Sequence, residues 1–200
     1  MIIYMCKIFC VTNRKLCRDV FPDRIEKIAA QKPCGIVLRE KDMDEISYGS
    51  LAKQVLTICE RYSVTCILHS FYDAAIRLGC KKIHLPLHIL RDIPAYKKDH
   101  FDVIGSSVHS VDEAREAEKL GCTYITAGHI FVTDCKKDLA PRGLDFLHQV
   151  ATSVNIPVLG IGGITSDNLH QVMDIAYGAC IMSGFMTCND PEEYMKELRK

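Results

Sequence analysis

The sequence predicts a compact (β/α)8 barrel filling one domain, residues 1–200. Three observations lead there. Short β-rich runs alternate with helical patterns along the whole chain, which implies a parallel sheet covered by helices. Three helical segments end alike, at Leu78-Gly79-Cys80, Leu120-Gly121-Cys122 and Tyr177-Gly178-Ala179, each glycine followed within a few residues by a strand. Eight such units in 200 residues lie near the lower size limit of the barrel. A doubly wound open sheet is the alternative. Its dinucleotide-binding version is disfavoured, because no G-x-G-x-x-G follows the first strand.

The elements follow in order. Met5 to Val11 is the first strand, and Asp23 to Ala30 a helix with Ile25, Ile28 and Ala29 on one face. Gly35 to Leu38 is the second strand, Leu51 to Tyr62 the second helix. Val64 to Leu68 is the third strand, followed by a helix through Ala74, Ala75 and Leu78. Lys82 to Leu85 is the fourth strand, and the segment after it, through Pro94, is weakly patterned. Asp102 to Ser106 is the fifth. Ser110-Val111-Asp112-Glu113 is a capping box opening a helix that Gly121 stops. Tyr124 to Ala127 is the sixth strand, Gly143 to Ala151 a helix, and Pro157 to Ile161 the seventh strand. Ser166-Asp167 starts another helix, Ala179 to Met182 is the eighth strand, and Asp190-Pro191 caps the last helix.

Composition sets bounds on function. Hydrophobic residues make up 48% and charged residues 25%, which excludes disordered, collagen-like and coiled-coil chains. Basic and acidic residues number 25 each, so no overall field draws the chain to nucleic acid or an acidic membrane. No apolar run approaches the ~18 residues of a membrane span. Residues 1–11 lack the basic flank and cleavage site of a secretory leader, so a cytoplasmic location is expected. The 11 cysteines are odd in number and scattered, with no C-x-x-C, which points away from a zinc ribbon or a thioredoxin-type motif. Cys10, Cys66 and Cys180 sit in apolar segments and read as reduced core thiols.

In a barrel, chemistry gathers where strands end. Strand 2 ends in Leu38-Arg39-Glu40-Lys41-Asp42, whose two cations suit a carboxylate or phosphate, though a solvated charged loop has the same composition. Strand 7 ends in Gly160-Ile161-Gly162-Gly163 and strand 8 in Met182-Ser183-Gly184. Glycine corners at these two loops are where barrels most often bind phosphate. Strand 6 ends in Gly128-His129-Ile130-Phe131-Val132-Thr133-Asp134-Cys135-Lys136-Lys137. His129 at that mouth is the candidate acid–base group, since an imidazole exchanges protons near neutrality. Strand 5 ends in Ser106-Ser107-Val108-His109-Ser110; Ser107 and His109 line the same mouth or form a helix-entry turn. Strand 3 ends in Leu68-His69-Ser70 and strand 4 in His84-Leu85-Pro86-Leu87-His88. Neither offers the carboxylates that a magnesium–pyrophosphate reaction wants, and Asp73 and Asp92 lie farther along.

These residues resemble the thiamin phosphate synthase/TenI family over nearly the whole chain. The most specific stretches are Gly105 to Ala114, Gly128 to Lys137 and Ile156 to Gly163. The resemblance implies a (β/α)8 barrel with phosphate at the strand 7 and 8 loops. It also separates two activities. The synthase branch joins a pyrimidine pyrophosphate to a thiazole phosphate and carries Asn-Asp after strand 3 and an acid after strand 4; here stand His69-Ser70 and Leu85 to His88. The tautomerase branch carries Gly-His-hydrophobic-Phe and Thr-Asp-Cys-Lys-Lys after strand 6, as this chain does at Gly128 to Phe131 and Thr133 to Lys137. The expectation is therefore a thiazole tautomerase that aromatises a carboxy-thiazole phosphate without metal or cofactor. The alternatives are a thiamin phosphate synthase and a non-catalytic, thiazole-phosphate-binding regulator. His129 is expected as the shuttle and Gly162, Gly163, Ser183 and Gly184 as the phosphate cradle. Arg39, Lys41, His69, Ser107, Thr133 and Lys136 are expected around the substrate. His69 departs from the family's usual Asn. The expected partner is the small thiazole phosphate, not nucleic acid or membrane, and the size admits a homodimer.

Overall fold

The computed structural model describes residues 7–137 and 139–200. The chain runs β1 (Ile8–Val11), α1 (Phe21–Ala30), β2 (Gly35–Leu38), α2 (Glu45–Arg61), β3 (Cys66–His69), α3 (Tyr72–Arg77) and β4 (Lys82–Pro86). It continues through α4 (Leu87–Asp92), α5 (Ala95–Lys98), β5 (Val103–Val108), α6 (Val111–Lys119), β6 (Tyr124–Gly128), α7 (Gly143–Ser153) and β7 (Val158–Ile161). It ends with α8 (Leu169–Met173), β8 (Gly178–Ile181), α9 (Ser183–Thr187) and α10 (Pro191–Leu198). The eight strands pair in sequence order, all parallel, and β8 returns to β1. The open-sheet alternative is thereby excluded. Residues 5 and 6 of the expected first strand lie outside the described residues.

Strand alternation divides the apolar residues into two cores. Outward positions such as Ile8, Cys10, Ile36, Leu38, Cys66 and Leu68 meet the helices. Inward positions, Val11, Val37, Ile67, Tyr124, Leu159 and Cys180, fill the barrel axis. Cys10, Cys66 and Cys180 are buried free thiols acting as small hydrophobes in these layers.

The axis is narrow, and the large Tyr124 ring fits because its neighbour in register has no side chain. A Cβ on Gly105 would stand 2.1 Å from the Tyr124 ring, with which it is in register. Gly105→Ala is expected to destabilise the fold by about 1–3 kcal/mol, measured by denaturant unfolding, because the ring has nowhere to go. Unchanged stability would show that the interior is loosely filled.

Local signals explain most boundaries. Ser110 Oγ accepts from Glu113 N–H, as the capping box requires. Gly79 (φ +68°) and Gly121 (φ +89°) close their helices in the left-handed region. Gly178 does not belong with them. It is the first residue of β8, without a positive φ, and lacks a side chain because the Lys7 carbonyl would lie 2.4 Å from its Cβ. The second helix starts at Glu45 rather than Leu51, because Asp44 accepts from the N–H groups of Ile46 and Ser47. The helix expected from Ser166 begins at Leu169. Asn168 ties the preceding turn, accepting from Thr165 N–H and donating to Gly163 O. The weakly patterned stretch after strand 4 holds the short helices α4 and α5. Helix α9, which directly follows β8, was not expected from the sequence. No helix among the described residues is long and apolar enough to cross a membrane.

Candidate active site

A cavity of about 500 Å³ opens at the C-terminal ends of the strands. Arg39, Lys41, His69, Ser107, His129, Thr133, Lys136, Gly162, Gly163 and Ser183 all line it. Gly184 does not line it. Its Cα faces inward, where an added Cβ would lie 2.0 Å from Tyr194 Oη, so packing accounts for that glycine.

The strand 2 motif is sorted by alternation. Arg39 and Lys41 line the cavity. Glu40 and Asp42 instead fasten the loop after β1. Buried Glu40 accepts from Thr12 Oγ1 at 2.7 Å and from Arg14. Asp42 takes the Arg14 guanidinium in a bidentate pair at 2.6 and 2.7 Å. The acids of the motif are neutralised outside, and its cations face the cavity.

Three cations therefore crowd one mouth. Burial pushes the Arg39 pKa down. Lys41 is lowered by burial and then by Arg39 and Lys136, and Lys136 by burial, Arg142 and Arg39. Mutual repulsion at a shared opening is the kind that a bound anion relieves.

His129 is held in place by the strand 6 loop. Its carbonyl accepts from Arg142 N–H at 2.9 Å, and the next residues pair with the strand 7 corner through Ile130 N–H to Ile161 O and Phe131 N–H to Gly162 O, both 3.0 Å. Gly162 (φ +102°) sits against the base of His129: a Cβ there would lie 2.3 Å from His129 Cβ and 2.8 Å from its Cα. That contact demands a glycine as firmly as any anion would. The buried imidazole places Nε2 3.2 Å from Leu139 O. A carbonyl only accepts, so Nε2 carries the hydrogen of the neutral ring and Nδ1 keeps the lone pair. Thr133 has a local task as well, capping the 3₁₀ turn Asp134–Lys136.

The floor is polar but neutral. His69 and His84 are in register on β3 and β4 and stack with centroids 5.4 Å apart. Burial, then the neighbouring charges, holds both well below the ordinary histidine range, with His84 pushed down to about 3. His69 bonds Ser70 Oγ through Nδ1. Sequence reasoning assigned no role to His84 and Thr126, although both line the cavity, as does His109. His109 reaches Gly128 O through Nδ1 at 3.0 Å, so it serves both the mouth and the helix entry. The alternation of Ile83 and Leu85 around His84 was the available signal for an inward ring.

The donor set does not suit magnesium. Among the described residues Glu113 is the one carboxylate lining the cavity, and it already accepts from His109 N–H. A hard cation needs several oxygens. Asp73 lies elsewhere, paired with Lys97 at 2.8 Å. Among the described residues no three His, Cys, Asp or Glu side chains converge as a metal site.

Comparison with known proteins agrees with this architecture. The family model described as thiamine monophosphate synthase matches residues 8–185. A thiamine-phosphate synthase of Clostridium acetobutylicum is 32% identical over 189 residues, covering 90% of this chain and 87% of that one. One from Caldivirga maquilingensis is 35% identical over 153 residues, covering 74% and 73%. The solved thiamine phosphate pyrophosphorylase of Pyrococcus furiosus superposes with a TM-score of 0.83 at 28% identity, covering 97% and 94%. A 3-hexulose-6-phosphate synthase, at 13% identity and TM-score 0.68, shares the fold alone.

Proposed function

Since this chain belongs to the thiamin phosphate synthase/TenI family of enzymes, we propose that it is a thiazole tautomerase, aromatising a carboxy-thiazole phosphate by moving one proton. One observation carries this reading. The cavity sets a buried imidazole of defined tautomer, His129, beside a cationic mouth, with a single, already engaged carboxylate among the described residues.

The residues divide the work as follows. His129 Nδ1 takes the proton from ring C2, which the conjugated imine and carboxylate acidify. The imidazolium so formed is stabilised by Leu139 O at Nε2 and returns the proton to the exocyclic carbon. Atoms and charge balance within the substrate, so no co-reactant is required. Arg39, Lys41 and Lys136 hold the carboxylate, and the backbone of Gly162, Gly163 and Ser183 holds the phosphate. Gly184 contributes at most its amide to that cradle, since its Cα is turned to Tyr194. His69 and Thr133 shape the wall.

The second reading is thiamin phosphate synthase, and the names of the similar proteins favour it. The donor set argues against it, because His69 and the strand 4 end supply no carboxylate where a metal–pyrophosphate pair would need them. The deciding experiment mixes the full chain with the thiazole tautomer and follows the ring protons by NMR, with and without EDTA. Conversion unaffected by EDTA is expected. No conversion, together with magnesium-dependent thiamin phosphate formation from pyrimidine pyrophosphate and thiazole phosphate, would replace the first reading with the second.

A further inference from the structure

Beneath the proton shuttle runs a buried hydrogen-bond chain that the reaction above does not use. The Tyr124 hydroxyl is 2.9 Å from His84 Nδ1, and His84 Nε2 is 2.8 Å from Ser107 Oγ. Thr126 Oγ1 lies 3.1 Å from the same serine oxygen. Strand register builds the chain: His84 is level with Gly105 and Gly105 with Tyr124, and the missing side chain of Gly105 is the space the tyrosine ring occupies.

With Thr126 Oγ1 as donor to Ser107 Oγ, one proton arrangement satisfies every buried donor of the chain among the described residues. Among the described residues the Tyr124 hydroxyl has one polar partner, His84 Nδ1. Were Nδ1–H to donate to it, the phenol hydrogen would be stranded inside the barrel. The phenol therefore donates to Nδ1, and the neutral ring carries its hydrogen on Nε2. That Nε2–H donates to Ser107 Oγ, and the Thr126 hydroxyl donates to the same atom. Both lone pairs of Ser107 Oγ are then engaged. Its own hydrogen is left to the cavity that Ser107 lines.

We propose that Tyr124 and His84 are positioning residues that lock Ser107 as a hydrogen-bond donor, so that the ligand must present an acceptor at that point. Burial keeps His84 neutral throughout the working range, which preserves the arrangement. The nature of the ligand, an anionic thiazole, rests on the function proposed above; the direction of the chain does not.

The test reads the two apart. Long-range 1H–15N spectra of the full 15N-labelled chain at pH 7 are expected to show His84 as the Nε2–H tautomer; the Nδ1–H tautomer would overturn the proposal whatever the enzyme does. Turnover of the thiazole tautomer gives the second readout, replaced by calorimetric binding of the stable carboxy-thiazole phosphate if the chain does not turn over. Tyr124→Phe is expected to raise KM or Kd about tenfold, as Ser107→Ala does, with kcat within about twofold. His84→Gln keeps an acceptor for Tyr124 and a donor for Ser107 and is expected to stay near the parent, whereas His84→Leu follows Ser107→Ala. This pair decides the matter if Tyr124→Phe fails to fold. Equal affinities of the Gln and Leu variants would overturn the positioning role.

Discussion

His129→Asn is expected to lower kcat for the thiazole tautomer by at least about 100-fold, the low end of what a positioned acid–base group contributes. Asparagine keeps the Cβ that packs on Gly162, but its amide ends at the level of Nδ1 and gives up the Nε2 bond to Leu139 O. It has no basic nitrogen to accept the C2 proton. Substrate affinity is expected to change little, since the anion is held by Arg39, Lys41 and Lys136. A thermal midpoint within a few degrees of the parent separates lost chemistry from lost fold. Near-normal turnover in a folded variant would remove His129 from the mechanism and, with it, the observation that carries the proposed function.

Acid is expected to unfold the protein earlier than its surface ion pairs alone would. The sign follows from the two floor histidines. In the unfolded chain each protonates near the ordinary value of 6.5; in the fold, burial lowers both, His84 to about 3. Between those values the unfolded state binds more protons, so stability is complete above about pH 6.5 and is lost as pH falls toward 3. For His84 the linkage amounts to a few kcal/mol across that window. Urea midpoints measured from pH 7 to pH 4 should fall steeply, and His84→Gln should flatten the slope. A parent and a variant with the same pH dependence would show that His84 is not held neutral. The exposed pairs Arg61–Glu26 and Arg77–Glu45 contribute little to this profile, because solvent screens them.

Much of the barrel is legible from local chemistry. Ser110 and Asp190 mark helix starts because a short polar side chain satisfies the first free N–H groups wherever the helix lies in the fold; Asp44 does the same for α2 but was passed over when that helix was expected from Leu51. Gly79 and Gly121 mark stops because φ near +70 to +90° is a property of one residue. Gly178 misled for the same reason. Its glycine answers a contact with Lys7 on the neighbouring strand, and nothing adjacent in sequence announces that. Helix α9 escaped because five residues are too few for a period to repeat.

The site divides along the same line. Arg39 and Lys41 were visible because a spacing of two puts both on one side of an extended segment. His129 was visible because a glycine and a histidine end a strand together. Tyr124, His84 and Thr126 were not, since their meeting depends on how three strands are staggered, and Gly184 was assigned to an anion although its surroundings belong to Tyr194.

What the chain carries by itself is the order of its elements, their ends, the barrel they close and the residue types at each mouth, because propensity, capping and periodicity act over a few neighbours. What only the closed barrel decides is which nitrogen of each imidazole holds a hydrogen, which glycines exist for packing and which cations share one opening. Those depend on contacts between residues of different elements, such as His84 with Tyr124 and Ser107, 40 and 23 positions apart and brought within hydrogen-bond reach by the register of parallel strands.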